Sequence, residues 1–151
     1  MARIGFYHMV RQPLEQVLPK LLEKAIASGA RVVVLAGSQE RISFLDDLLW
    51  TYGDDSWLPH GTAKDGDAAM QPIWLTDTEE NPNQATILLA CDGATPLRIQ
   101  EWERCLDLFD GNDDQAVTAA RARWKSWKEQ GHDLVYYQQT ERGGWEEKAR
   151  S

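Results

Sequence analysis

The feature that most restricts the fold is a β-branched run at residues 31–36, which reads Arg-Val-Val-Val-Leu-Ala. A strand without polar alternation is typical of a parallel sheet that is covered on both faces. Before it, Pro13 suits the first position of a helix. Apolar residues then recur with helical spacing at Leu14, Val17, Leu18, Leu21, Leu22 and Ala25. The pattern predicts a helix that ends near Gly29 and returns the chain to a buried strand.

The same alternation of strands and helices continues along the chain. Further strands are predicted at residues 3–7, 72–75, 85–90, 104–109 and 133–138. Ser38 can cap a second helix, and a short helix is expected near residues 97–102. A long helix is expected from Asn112, where Gln115 completes a capping box, to Gly131. Alternating strands and helices predict an α/β class, Rossmann-like in outline, with a mostly parallel sheet and helices on both faces.

Two segments do not fit the alternation. Residues 51–71 are rich in Gly and Asp and are expected to form an irregular loop anchored by residues 57–60. Residues 140–151 are polar and are expected to form a loosely held tail. The predicted organisation is therefore a single α/β domain over residues 1–139, followed by a polar C-terminal tail.

The charge balance restricts the partners of the chain. With 24 acidic and 16 basic residues, the net charge is −8, so the protein as a whole repels nucleic acid and would contact DNA only indirectly. The first 30 residues lack the apolar stretch of a signal peptide, and no segment has the length of a membrane span. We therefore expect a soluble, cytoplasmic protein. Cys91 and Cys105 are interpreted as buried hydrophobic residues, and no metal-ligand spacing is present.

Motifs for catalysis or cofactor binding are weak. The turn after the first strand, residues 8–13, contains no glycine and cannot form a dinucleotide fingerprint. His60 is the histidine most worth attention, and its simpler interpretation is a loop side chain hydrogen-bonded to the backbone. We expect no catalysis of its own, no metal and no cofactor. The alternative is a small nucleotide-binding or hydrolytic Rossmann-like domain, since a fold does not determine a function.

One helix concentrates basic residues in this acidic chain. Residues 121–128 read Arg-Ala-Arg-Trp-Lys-Ser-Trp-Lys. At about 100° per residue, an outward sector of about 80° collects Val117, Arg121, Trp124, Lys125 and Lys128. The opposite, packed side collects Ala116, Ala119, Ala120 and Trp127. Arg123 borders the packed side, where we expect it to pair with an acid.

The outward sector has two interpretations. Basic residues are common in the last turns of helices because they complement the helix dipole. That explanation does not account for Trp124, a large ring expected among cations on a wet face. Aromatic and basic residues together are typical of protein-binding hot spots, and they suit an acidic peptide with a bulky terminal residue. Direct binding of single-stranded DNA through Arg121, Arg123, Lys125 and stacked tryptophans is a further alternative.

Three segments taken together resemble the chi subunit of bacterial DNA polymerase III. They are residues 45–50 (Leu-Asp-Asp-Leu-Leu-Trp), residues 56–60 (Ser-Trp-Leu-Pro-His) and residues 121–128 with Gly131. The resemblance extends over nearly the whole chain. It implies a Rossmann-like, non-catalytic accessory subunit of the clamp-loader complex, held there through the psi subunit. It also implies binding to the acidic C-terminal tail of single-stranded DNA-binding protein, which ends in Pro-Phe.

The resemblance also implies roles for individual residues. Arg121, Lys125 and Lys128 would meet the carboxylates of the tail. Trp124 and Trp50, with Trp57 as a further candidate, would wall a slot for its terminal phenylalanine. The chain departs from the family pattern at Val117, where some relatives carry a base, and at Asp110, where some carry an apolar residue.

Overall fold

One sheet organises the residues described by the computed structural model, which are residues 2–52 and 58–151. Its strands are β1 (Arg3–Met9), β2 (Val32–Leu35), β3 (His60–Gly61), β4 (Ile73–Thr76), β5 (Ile87–Ala90), β6 (Arg104–Asp110), β7 (Asp133–Gln139) and β8 (Trp145–Arg150). The helices are α1 (Leu14–Ala27), α2 (Gln39–Thr51) and α3 (Asp114–Glu129). Short 3₁₀ turns lie at Ala68–Met70 and Ile99–Glu101.

The strand order is β3-β4-β2-β5-β6-β1-β7-β8. All neighbouring strands run parallel except β7 and β8, which are antiparallel. The predicted α/β class and mostly parallel sheet are therefore confirmed. The order differs from the 3-2-1-4-5-6 order of the dinucleotide-binding fold, so the likeness to that fold does not extend to its strand order.

The helices cover both faces of the sheet. Successive residues of a strand point to opposite faces, and all four residues of β2 are buried. Val32 and Val34 pack in one core cluster with residues of α1 and α2. Val33 and Leu35 pack in a second cluster with residues of α3. The doubly covered strand predicted from the β-branched run is thus confirmed.

Several local predictions need correction. Residues 145–150 form β8 rather than a loose tail, because the ring of Trp145 packs at 5.0 Å against that of Tyr7 and the strand pairs with β7. Asp113, not Asn112, caps α3, and its carboxylate accepts hydrogen bonds from the amides of Gln115 and Ala116. The short helix expected at residues 97–102 is a single 3₁₀ turn.

Two further differences concern helix α1 and the Gly- and Asp-rich loop. Pro13 precedes α1 in an extended conformation, so the helix begins one residue later, at Leu14. His60 lies in strand β3, which pairs with β4, rather than in an irregular loop. Ser38 caps α2 as predicted, accepting a hydrogen bond from the amide of Arg41. None of the helices in the described part of the chain is long and apolar enough to cross a membrane.

Candidate functional site

A cleft of about 820 Å³ opens at the carboxyl ends of the central strands. Strands β1 and β6 are neighbours, but β1 leads to α1 on one face and β6 leads to α3 on the other. A crevice forms at such a reversal, and open α/β sheets often bind ligands there. The cleft is therefore the first place to look for a small-molecule site.

The turn between β1 and α1 is already occupied by a side chain of the protein. The Gln139 side-chain oxygen accepts hydrogen bonds from the backbone amides of Val10, Arg11 and Gln12, at 3.2, 2.9 and 3.0 Å. In nucleotide-binding α/β proteins the backbone amides of this turn face the phosphates. Here they are satisfied by Gln139, which is 3% exposed. This contact argues against the alternative of a nucleotide-binding domain.

Two arginines that line the cleft are paired with acids. Arg41 donates two hydrogen bonds to Asp92, at 2.9 and 3.2 Å. Arg123 donates two to Asp107, at 2.6 and 2.9 Å, and the two side chains are only 11% and 2% exposed. Burial raises the pKa of Asp107, and the Arg123 guanidinium opposes that rise. Both charges are neutralised, so neither arginine is available to an anionic ligand without losing its partner. The predicted pairing of Arg123 with an acid is confirmed.

The opposite side of α3 carries cations without acidic partners. We call Arg121, Trp124, Lys125 and Lys128 the basic face. The three cations are exposed, and none of their side chains forms a salt bridge or hydrogen bond with any residue among 2–52 and 58–151. The outward orientation predicted for them from helical spacing is confirmed. Ala120 and Trp127 are buried as predicted, whereas Ala119 is exposed at the cleft.

Trp124 is held against the sheet rather than standing free. Its ring packs edge-on at 5.4 Å against Phe6 and lies 6.0 Å from Tyr136, which leaves Trp124 half-buried. The predicted wet position is therefore wrong in part, because the ring covers the core and only part of it faces solvent. Val117, also predicted to point outward, is half-buried against the same cluster. Packing against the sheet thus fixes the Trp124 ring beside the free cations. A ligand that contacts its exposed part loses little entropy in ordering the ring.

Two side chains that the sequence did not indicate lie beside Trp124 and Arg121, and we call this part of the surface the corner. His8 from β1 and Tyr136 from β7 are both half-exposed, and His8 Nδ1 makes a hydrogen bond with the Tyr136 hydroxyl. Burial lowers the pKa of His8 and raises that of Tyr136, and the positive charge of Arg121 acts to lower both. Only the pairing of β1 with β7 brings them together, and no local sequence signal reports that pairing.

Trp50 does not join this corner. It follows Leu49 of α2, on the other face of the sheet, and its ring lies 4.5 Å from that of His60 in edge strand β3. Strand β3 is four strand positions from β6, which α3 covers; at usual strand spacing that is about 19 Å. The described residues thus place the two rings on elements that cover different faces of the sheet, and the predicted slot walled by both Trp50 and Trp124 stays a prediction that peptide binding would test. Trp57 lies outside the described residues.

The surroundings of Trp50 are also chemically different from the basic face. The ring is 65% exposed. Beneath it, the Nδ1 of buried His60 is 2.6 Å from the Leu58 carbonyl oxygen, so the predicted backbone contact is confirmed. His60 Nε2 is 3.0 Å from the carboxylate of Asp46, but the two atoms are poorly aligned for a hydrogen bond. Asp46 and Asp47 place two carboxylates at this end of α2, where Lys64 lines the same surface.

The two cysteines offer no reactive site. Cys91 and Cys105 are buried and unpaired, as their apolar surroundings predicted. Burial raises the pKa of both thiols, so neither ionises to a nucleophilic thiolate near neutral pH.

The sequence matches the model of one protein family, described as "DNA polymerase III chi subunit, HolC", over residues 1–135. It is 31% identical over 105 residues to the "Probable DNA polymerase III subunit chi" of Rickettsia prowazekii, and the matched segment covers 68% of this chain and 64% of that relative. It is 27% identical over 138 residues to the "DNA polymerase III subunit chi" of Pseudomonas aeruginosa, covering 89% and 94%. The protein of the same name from Escherichia coli is 22% identical over 122 residues, covering 80% and 82%.

Proposed function

The chain belongs to the DNA polymerase III chi subunit family, and we propose that its basic face binds the acidic C-terminal tail of single-stranded DNA-binding protein. Membership of the family makes the chain a replication accessory subunit. The proposal adds a ligand and a surface to that role. It also gives the chain an adaptor function, in which tail binding links DNA coated with single-stranded DNA-binding protein to the clamp loader.

The observation that carries the proposal is the set of unpaired cations around Trp124. In a chain of net charge −8, Arg121, Lys125 and Lys128 are exposed on one side of α3 without acidic partners among the described residues. Charge-assisted hydrogen bonds to carboxylates contribute about 1.5–3 kcal/mol each. An acidic peptide would supply those carboxylates, and an aromatic terminal residue would pack on the exposed part of Trp124.

The tail fits this surface better than nucleic acid does. The acidic surface of the chain repels a polyanion that extends beyond three cations, whereas a short peptide can confine its charge to the basic face. An extended peptide spans about 3.3 Å per residue. The helix rises seven steps from Arg121 to Lys128, about 10 Å, so three or four residues of tail would cover the three cations.

The adaptor role needs a second partner, and we propose the psi subunit of the clamp-loader complex for it. We propose no catalytic step. In support, each histidine serves a structural contact: His8 with Tyr136, His60 with the Leu58 carbonyl, and His132, which accepts a hydrogen bond from the Ala2 amide.

Calorimetric titration tests the proposal. The full chain is titrated with an acidic peptide that ends in Pro-Phe, with the same peptide lacking its final Phe, and with a single-stranded oligonucleotide. We expect the complete peptide to bind, the shortened peptide to bind at least about 10-fold more weakly, as expected for loss of an aromatic anchor, and the oligonucleotide not to bind. Lys20→Ala is the matched control variant, because Lys20 is an exposed cation on α1, on the other face of the sheet. Equal binding of both peptides, or tighter binding of the oligonucleotide, would contradict the proposal.

A further inference from the structure

The His8–Tyr136 pair lies at the end of the basic face, where α3 passes over β1 and β7. The His8 ring is enclosed on one side by Phe109, at a centroid distance of 5.1 Å. Gly111 lies directly against Cδ2 and Nε2 of the His8 ring, since a Cβ at that position would overlap these atoms. The imidazole is thus fixed in place, with its Nδ1 hydrogen-bonded to the Tyr136 hydroxyl.

Three elements place charged or polar groups around His8. Burial is the largest influence and lowers the pKa of His8; the Gly111 backbone raises it, Arg121 on α3 lowers it, and Asp110 at the end of β6 raises it. The net direction is downward from 6.5. Tyr136 on β7 is the remaining partner. In the unbound protein at neutral pH, His8 is therefore uncharged.

We propose that Tyr136 and His8 act with Arg121 to bind the terminal carboxylate of the tail peptide. The inference rests on the proposed function and specifies which end of the peptide lies where. A free carboxylate needs a cation and hydroxyl or amide donors, and this corner holds an exposed guanidinium next to a half-exposed hydroxyl. The half-exposed ring of Trp124, 6.0 Å from Tyr136, would then contact the aromatic side chain of the same terminal residue.

The hydrogen-bond pattern makes this binding dependent on protonation of His8. When neutral His8 carries its proton on Nε2, the ring nitrogen next to Gly111, its Nδ1 is unprotonated and accepts a hydrogen bond from the Tyr136 hydroxyl. When His8 takes up a proton from solvent, Nδ1–H donates to the Tyr136 oxygen instead. The Tyr136 hydroxyl hydrogen can then turn outward and be donated to the carboxylate. No covalent bond is made or broken.

The sign of the effect follows from linkage. A bound carboxylate offsets the positive charge of Arg121 and raises the pKa of His8, so peptide binding is accompanied by proton uptake. Peptide affinity must then increase as the pH falls through the pKa of His8. The aspartates and glutamates of the peptide remain ionised above about pH 5, so their own titration does not produce this increase.

Nuclear magnetic resonance of the histidine rings in the full chain tests the inference directly. The pKa of His8 is measured with and without saturating tail peptide. We expect it to rise on binding, while the pKa of His132, which is bound to the Ala2 amide, stays unchanged as an internal control. Calorimetry should show affinity about 5-fold higher at pH 5.5 than at pH 7.5, since a one-unit rise in pKa allows at most a tenfold gain. His8→Gln should abolish that pH dependence, and Tyr136→Phe, which removes the hydroxyl donor but keeps the imidazole, should reduce it.

The outcomes separate this inference from the proposed function. If the tail peptide does not bind at either pH, the proposed function fails. If it binds with equal affinity at both and the pKa of His8 does not move, only the role of His8 and Tyr136 is overturned. The ring titration uses the unmodified chain, so the result stands even if a variant does not fold. A Tyr136→Phe protein that folds and keeps the full pH dependence would also overturn it.

Discussion

Arg121 and Arg123 lie two positions apart on α3 and have opposite surroundings. Arg123 points toward the cleft, where its guanidinium is almost completely buried and makes two hydrogen bonds to Asp107. Arg121 points to the other side of the helix, exposed beside Trp124 and Tyr136. Two residues correspond to about 200° of helical rotation, which places them on opposite sides. Arg123 therefore stabilises the packing of α3 on the sheet, and Arg121 is free to bind a ligand.

The contrast shows that residue type alone does not identify a binding residue. What decides is whether the fold provides an acid within reach of the cation. On the cleft side, β6 supplies Asp107 beneath the helix. On the basic face the sheet supplies rings, Phe6 and Tyr136, which hold Trp124 and leave the neighbouring cations unpaired. Substitutions on the cleft side should consequently change the free energy of unfolding, whereas substitutions on the basic face should change the affinity for the tail peptide.

The largest effect is expected from Asp107→Ala. Removing one partner of a buried ion pair leaves an uncompensated charge and typically costs about 3–5 kcal/mol. Urea denaturation should show this decrease in the free energy of unfolding. The double variant Asp107→Leu with Arg123→Met removes both charges, and it should recover most of the loss and bind tail peptide normally. A loss below about 1 kcal/mol for Asp107→Ala would show that the pair does not secure α3.

Arg121→Ala should produce the reverse pattern. Loss of a charge-assisted hydrogen bond worth about 1.5–3 kcal/mol should weaken tail binding roughly 10- to 100-fold. The free energy of unfolding should change by less than about 0.5 kcal/mol, as for most exposed positions. Calorimetry and urea denaturation on the same preparation measure both, with Lys20→Ala as the control. Unchanged affinity would show that Arg121 does not contact the tail.

A tryptophan pair extends the contrast to the two faces of the sheet. Trp124→Leu should weaken tail binding about 10-fold, as expected for an aromatic anchor at a hot spot. Trp50→Leu should leave it unchanged, because Trp50 lies at edge strand β3 on the other face. Titration of both variants with the same peptide, after circular dichroism confirms their folding, decides between the rings. Weaker binding by the Trp50 variant would instead support the slot between Trp50 and Trp124 that the resemblance to the chi family implies.

The smallest effect is expected from Asp110→Asn. Asp110 contributes negative charge near His8, at the end of the basic face, and its Oδ1 accepts a hydrogen bond from the Asn112 amide at 2.9 Å. The Asn side-chain oxygen can keep that hydrogen bond, while the charge that repels an acidic peptide is lost. Exposed charge pairs contribute about 0.2–1 kcal/mol, so tail affinity should increase about twofold at low salt. Weaker binding would place the tail away from Asp110.

The sequence predicted those features that depend on local periodicity. The β-branched run of β2, the buried positions of Ala120 and Trp127, and the pairing of Arg123 with an acid all follow from spacing within one strand or helix. The outward cations of the basic face follow from the same spacing. Each of these predictions needed only the direction in which a side chain points from its own strand or helix.

Features that depend on strand order could not be predicted in this way. His8 and Tyr136 meet because β1 pairs with β7, and their positions are 128 residues apart in the chain. The resemblance to the chi family groups Trp50 with Trp124 in one slot, whereas α2 and α3 cover opposite faces of the sheet. The polar segment 145–150 was expected to be loose, since its exposed side chains do not report the backbone pairing and the Trp145 contact that hold it.

Chemical-shift mapping of the tryptophan indole N–H groups tests the central claim most directly. The ¹⁵N-labelled chain is titrated with the acidic peptide ending in Pro-Phe, and the indole signals of Trp124 and Trp50 are assigned with the two leucine variants. We predict that the Trp124 signal shifts on binding, in proportion to the bound fraction, while the Trp50 signal stays in place. A peptide that binds and shifts Trp50 but not Trp124 would contradict the assignment of the tail to the basic face.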